Sequence, residues 1–213
     1  MVHEHPQTSN ITLEAQRYSG LDIVFAALKK LQDFLPTNLL FHSVDHTIDV
    51  LNEVILFGTH NALDERSLEL LAIAAAYHDI GFITQSSANE EIGANEAKAA
   101  MQTTARYSEQ EITLVHTMIL DTTLILTEAG AHQVPNTELS KYLCDADLSN
   151  LGRADFFGRS DLFWQEIGKP DKAAYRCEIL KFLEYHVWYT SAAAALRQQQ
   201  KERNITSLRG MMA

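Results

Sequence analysis

Apolar residues along this chain recur at the three- and four-residue spacing of helices, with no strand-like alternation. Leu21, Val24, Phe25, Leu28, Leu31 and Leu35 mark an amphipathic helix within Thr12 to Phe34, which Gly20 can split and Pro36 ends. Ser43 is a good N-cap, so the next helix should run from about Val44 to Phe57 and stop at Gly58, with Val50, Leu51, Val54 and Ile55 inward. The most apolar run, Ala72-Ile73-Ala74-Ala75-Ala76-Tyr77-His78-Asp79-Ile80-Gly81, predicts a buried helix capped by Asp64 and stopped by Gly81 in the left-handed conformation. Ser87-Ala88-Asn89-Glu90 has the form of a capping box opening a helix to about Thr104, and Ser108-Glu109-Gln110-Glu111 opens another carrying Ile112, Val115, Ile119 and Leu120. A loop from about Leu126 to Pro135 is a candidate lid or rim, with plain surface loop as the default. Asn136 or Thr137 caps a helix leading into Cys144-Asp145-Ala146-Asp147-Leu148-Ser149-Asn150. Beyond Asp155 the chain is helical again, broken at Gly168-Lys169-Pro170-Asp171. The expected fold is all-α, with a flexible tail over 1–10, a helical core over 11–153 and a C-terminal helical extension over 154–213 packed on it.

Composition narrows the partners. A chain of 213 residues that is 46% hydrophobic can bury one sizeable core. Its 17 Lys plus Arg against 28 Asp plus Glu give a formal charge of -11, which disfavours bulk nucleic acid and anionic membrane surfaces but leaves room for a local phosphate pocket. Cys144 and Cys177 lie far apart and read as free thiols in a reducing compartment. With no apolar signal core near Met1 and no run of membrane-spanning length, the expected location is cytoplasmic. Tyr175, Ile179, Phe182 and Leu183 suit core packing or a homo-oligomer contact, and His186 beside them reads as structural, while His3 and His5 read as part of a solvated tail.

Chemistry enters through polar residues placed where apolar neighbours make them costly. Asp79, at the end of the buried run, needs a partner, hydrogen bonds or a cation. His46 falls in the first turn of its helix and His42 just ahead of it, so the two take different tasks, ligand for His46 and proton donor or substrate contact for His42. Asp145 and Asp147 form a second acidic pair, and a two-residue step turns about 200° on an α-helix, so only one can face a given cavity. Glu90 is either a helix cap or a group that orients a water. His116 reads as a satisfied or surface histidine. Gly-rich phosphate loops, the Gly-x-Ser-x-Gly elbow and His-Glu-x-x-His are all absent.

Taken in order on successive helices, Phe41-His42-Ser43-Val44-Asp45-His46-Thr47, His78-Asp79-Ile80-Gly81 and the late acidic pair resemble the HD superfamily of metal-dependent phosphohydrolases, over about Leu35 to Arg153. The resemblance implies an HD-type helical bundle in which His46, His78, Asp79 and one late Asp hold a divalent cation. Cys144 to Asn150 looks like the Ala-Asp-Leu-Ser-Asn element of cyclic-nucleotide phosphodiesterases, which assigns that ligand to Asp147, and those enzymes are similar also at Phe41 to His46, which implies the proton-donor role for His42. Many members carry His-Glu where this chain has Asn89-Glu90, and those with two metals carry extra histidines near Asp121-Thr122, so a single ion is implied, with His116 a remote second candidate. The segment from Arg153 to about Lys201 looks like the extension of a small HD group without an assigned substrate.

Mixed imidazole and carboxylate donors suit Mn, Fe, Co, Ni or Zn, and Mg more weakly. The implied reaction is hydrolysis of a phosphate ester of a nucleotide or other small phosphorylated metabolite, with Asp79 accepting a proton from water, His42 protonating the leaving oxygen, and Arg153 either holding phosphate or lying at the surface. Two rivals stand beside it: a metal- or nucleotide-binding regulatory HD domain without turnover, and a diiron oxygenase.

Overall fold

A computed structural model describes residues 10–127 and 130–212. The expected tail, with His3 and His5, lies outside the described residues apart from Asn10. The described residues form ten α-helices: α1 (Leu13–Ser19), α2 (Asp22–Phe34), α3 (Val44–His60), α4 (Glu65–Tyr77), α5 (Asn89–Thr103), α6 (Glu109–Leu120), α7 (Glu138–Asp147), α8 (Phe156–Glu166), α9 (Lys172–Tyr185) and α10 (Ser191–Gly210). The fold is all-α. Its one departure among the described residues is a two-stranded antiparallel hairpin, β1 (Ile125–Thr127) with β2 (Gly130–His132), paired Ile125 to His132 and Thr127 to Gly130. The sequence pattern predicts a loop there because all three β1 side chains are exposed, so no burial pattern marks the strand.

Helix α4 is the axis of the bundle. Every residue from Leu70 to Tyr77 is buried, and such a helix, apolar on all sides, can only sit inside other helices. Its small side chains at Ala72, Ala74, Ala75 and Ala76 let α2, α3, α5, α6 and α7 close around it. Asp64 caps it as expected, its carboxylate accepting from Ser67 N at 2.8 Å. The far end differs from expectation. The helix stops at Tyr77, His78 is its C-cap, and Gly81 lies in a short 3₁₀ turn (Ile80–Ile83) without a positive φ. Gly81 is required by close approach instead, since a Cβ there would fall 2.1 Å from Asn89 O. Gly93 plays the same part on α5, where a Cβ would meet Tyr77 O at 2.4 Å, so α5 crosses directly over the end of α4.

Other boundaries follow local chemistry. Gly20 separates α1 from α2, Ser43 caps α3 by accepting from His46 N, and Ser108 and Glu111 form a complete capping box. Helix α3 does not stop at Gly58 but runs on to His60. The box expected at Ser87 is not formed: the N-cap of α5 is Ala88, in the left-handed region with φ 57° and no side-chain cap.

The C-terminal extension packs on the core in two ways. Ala192 and Ala193 of α10 join the main core, while Leu151, Phe156, Leu183 and Leu208 make a smaller apolar cluster of their own. Two acids one turn apart on α3 then receive arginines from the later part of the chain. Glu53 takes Arg197 of α10 in a fork at 2.5 and 2.8 Å, and Asp49 takes Arg159 of α8 at 2.5 Å and Arg153 at 3.0 Å. Leaving either buried acid without its arginine would cost about 3–5 kcal/mol. No described helix is long and apolar enough to cross a membrane.

Candidate metal centre

The end of α4, the first turn of α3 and the end of α7 meet at one point. His46 and His78 are 5% and 1% exposed and Asp79 is 7% exposed, and their ligand atoms all lie within 4.8 Å of one another. The two imidazoles face each other, Nε2 to Nε2, at 3.4 Å. Asp79 Oδ2 sits 3.2 Å from His78 Nε2 and 3.5 Å from His46 Nε2. Asp147 Oδ1 approaches the same nitrogens, at 3.1 Å from His46 and 3.6 Å from His78, closing on the imidazoles rather than joining the mutually close set.

Local backbone geometry explains the convergence. Asp79 leaves the helix with φ -106° and ψ 4°, in the sparsely populated bridge region, so two adjacent residues aim at one centre instead of about 100° apart. His46 points inward because Ser43 fixes the start of α3 three residues earlier. The predicted opposition of the acidic pair on α7 is also present. Asp147 turns to the centre, whereas Asp145 accepts from Tyr189 N (2.9 Å), Thr190 N (2.8 Å) and Thr190 Oγ1 (2.7 Å), tying α7 to the start of α10. Burial pushes its carboxyl up to about 6.

The donor set fits a cation. Donors bonded to one transition ion at about 2.1 Å lie about 3.0–3.4 Å apart, and the three separations among His46, His78 and Asp79 run from 3.2 to 3.5 Å, while Asp147 stands outside this mutually close set. Three further features agree. His78 Nδ1 lies 2.8 Å from the carbonyl oxygen of Ala75, which can only accept, so Nδ1 carries a proton and Nε2 is the nitrogen that faces the centre, with its lone pair free whenever the ring is neutral. Asp79 Oδ2 is buried with no hydrogen-bond partner, its contacts to the imidazoles lacking hydrogen-bond alignment. Burial raises the Asp79 and Asp147 carboxyls, but the imidazoles outweigh it and hold both below the ordinary carboxylate range. Burial lowers the pKa of His78, while Asp79 and Asp147 outweigh it and raise it well above the usual value, so a proton competes with a cation for this site.

Around these donors stand groups the sequence pattern singles out and two it does not. His42 lies outside α3 as expected, stacked on Phe82 with ring centroids 4.3 Å apart. Its Nδ1 is 2.5 Å from Glu166 Oε1, and Glu166 Oε2 also accepts from Phe41 N at 2.7 Å and His42 N at 3.1 Å. The carboxylate only accepts, so Nδ1 carries a proton and Nε2 is left for a ligand. Burial lowers His42's pKa, but the bond to Glu166 and the charges of Asp79, Glu166 and Asp147 outweigh it and raise it. Glu166, at the end of α8, has no sequence signal: it reaches this site only through the fold of the extension. Gln133 is the other. It is 1% exposed, and its Nε2 donates to Asp147 Oδ2 at 2.6 Å and to Thr122 O at 2.7 Å, so it fixes the carboxylate oxygen turned away from the centre.

Glu90, in the first turn of α5, is half-buried. Burial, with smaller contributions from Asp79 and Asp147, raises its carboxyl, which places it within electrostatic range of the centre. Arg153 is elsewhere engaged. Its guanidinium faces Asp155 at 2.7 and 3.0 Å and Asp49 at 3.0 Å, so the fork predicted to hold phosphate already holds carboxylates. His116 is half-buried on α6 and is not part of the cluster.

No protein-family model matches this chain, and no curated protein or solved structure is similar to it. The likeness to the HD superfamily therefore rests on the residues themselves.

Proposed function

We propose that the protein is a metal-dependent phosphohydrolase acting on a small phosphate ester, with His46, His78, Asp79 and Asp147 holding one divalent cation. The observation that carries this is the pairing of a partnerless buried carboxylate oxygen on Asp79 with two imidazole Nε2 atoms 3.4 Å apart, one of them turned to the centre by the bond of its ring's Nδ1 to Ala75. A bound divalent cation supplies Lewis acidity toward water and a phosphoryl oxygen and offsets charge that develops on phosphate. The side chains supply the rest. Asp79, within reach of the same centre, accepts a proton from the attacking water. His42, protonated through its bond to Glu166, turns Nε2 to the ligand side and donates to the leaving oxygen. Gln133 keeps Asp147 in one orientation, and Glu90 is placed to orient water. With nucleotides and other small phosphate esters among the candidates, the test is hydrolysis of such a panel with Mn, Co, Ni and Mg, set against His78→Ala. Turnover in the wild type and none in the variant is the expected result. Equal signals in both would remove the proposal and favour a metal-binding domain without turnover.

A further inference from the structure

An apolar cavity of about 120 Å³ opens beside the cluster, and His42 and Asp147 form the edge it shares with the metal centre. Its wall is built by the extension and the turn before it: Leu151, Phe156, Phe163 of α8, and Ile179 and Phe182 of α9. Apart from His42 and Asp147, no charged side chain lines it. The two hydroxyls present are already used, since Ser160 Oγ and Tyr175 Oη bond each other at 2.9 Å and Tyr175 Oη also donates to Ser160 O at 3.0 Å. What remains is a mostly apolar wall whose one further polar side chain is the amide of Asn150, so nothing charged is left for a second phosphate. Its volume is close to that of apolar protein cavities that take up one benzene ring, roughly 150 Å³.

Position gives this cavity a task. In ester hydrolysis the group that receives the acid's proton is the leaving alcohol, and the proposed acid, His42, sits on the cavity's edge. We infer that the cavity is the leaving-group subsite and that the substrate is a phosphate ester whose alcohol carries one uncharged, ring-sized apolar group, with an aryl ester as the simplest case. This inference rests on the proposed hydrolase function. The step balances as a hydrolysis: the water oxygen bonds to phosphorus, the bond from phosphorus to the aryl oxygen breaks, Asp79 takes the water's proton, and His42 gives its own to the departing aryloxide. The products are a phenol and inorganic phosphate.

The test compares phenylphosphonate with methylphosphonate, two non-hydrolysable probes that differ by the ring, as ligands of the Mn-loaded full chain by calorimetry. Phenyl phosphate and methyl phosphate are assayed alongside for turnover and KM. Burying the ring should make phenylphosphonate bind about tenfold tighter or more. Ile179→Trp, which fills the cavity from α9, should abolish that preference while leaving methylphosphonate binding unchanged. Phe182→Leu, which reshapes the same wall without crowding it, should reduce the preference and decides the matter if the tryptophan variant does not fold. Equal binding of the two probes by the wild type would overturn the inference, as would a preference that survives both variants. Ring preference without turnover of either ester would overturn the leaving-group role and the hydrolase function while leaving a ring site. Turnover without ring preference would overturn the subsite alone.

Discussion

Replacing Glu166 with Gln keeps the shape of the side chain and removes the charge that faces His42. In the wild type, a carboxylate 2.5 Å from Nδ1 favours imidazolium, and the same group accepts from two backbone amides. The glutamine retains one carbonyl oxygen for those amides, so its NH2 turns toward Nδ1 and disfavours a proton there. An opposite charge about 4 Å away is worth about 4 kcal/mol at an effective dielectric of 20. The His42 side chain is 21% exposed, and solvent screening reduces this several-fold without changing its sign. The sign is fixed by direction: His42's pKa is raised in the folded protein, so the variant should titrate lower. Histidine Hε1 resonances followed against pH read this without any substrate, in metal-free and metal-loaded protein. Loading should itself lower His42's pKa, because the cation cancels the pull of Asp79 and Asp147, and the further drop in Glu166→Gln should persist in both forms. In stability, the His42–Glu166 contribution is fully present between about pH 4.5 and 6.5. It fades above as His42 loses its proton, and below as Glu166, whose carboxyl burial raises but His42 holds low, gains one. If His42 titrates in the variant just as it does in the wild type, Glu166 does not hold its proton.

Other consequences are open to direct measurement. Saturation with Mn at about 100 times Kd should stabilise the wild type by about 2.7 kcal/mol, a rise of roughly 5–10 °C in Tm for a chain of this size, and Asp79→Asn should abolish that rise. A rise of the same size in that variant would exclude Asp79 from the metal site. Gln133→Leu should weaken metal binding about 10–100-fold with folding retained, read by competition with a chelating dye. An unchanged affinity would strip Gln133 of its positioning role. Lys201 is 3% exposed, bonds the His186 carbonyl and lies 3.0 Å from its Nδ1. Burial brings its pKa down to about 8. The unfolded chain therefore binds more protons between pH 8 and about 10.5, and stability should climb across that window by about 3 kcal/mol in urea unfolding, a climb that Lys201→Met should flatten.

Features that depend on neighbours within a few residues are legible in the sequence. Ser43 and Asp64 announce their helices by capping chemistry, and the two-residue spacing of Asp145 and Asp147 sends one inward and the other to Thr190. The cause of the end of α4 is not local. Gly81 looked like a left-handed stop, but the constraint on it is the backbone of Asn89, a contact across the fold that no local pattern records. Ala88 likewise takes a left-handed cap position against its preference because α5 must start there to cross α4. Glu166 and Gln133 were missed because each is an ordinary residue in its own segment and acquires meaning only when α8 and the strand-to-helix stretch close over α3 and α7. Arg153 shows the converse. Next to the acidic pair it looked like a phosphate ligand, yet Asp49, a hundred residues upstream, claims it.

The central claim is that four side chains from three helices share one cation, and anomalous diffraction from a Mn-loaded crystal tests it most directly. One peak bonded to His46 Nε2, His78 Nε2, Asp79 Oδ2 and Asp147 Oδ1 is the predicted result. A peak held by other residues, or His46 or Asp147 turned away from an ion that His78 and Asp79 retain, would contradict it.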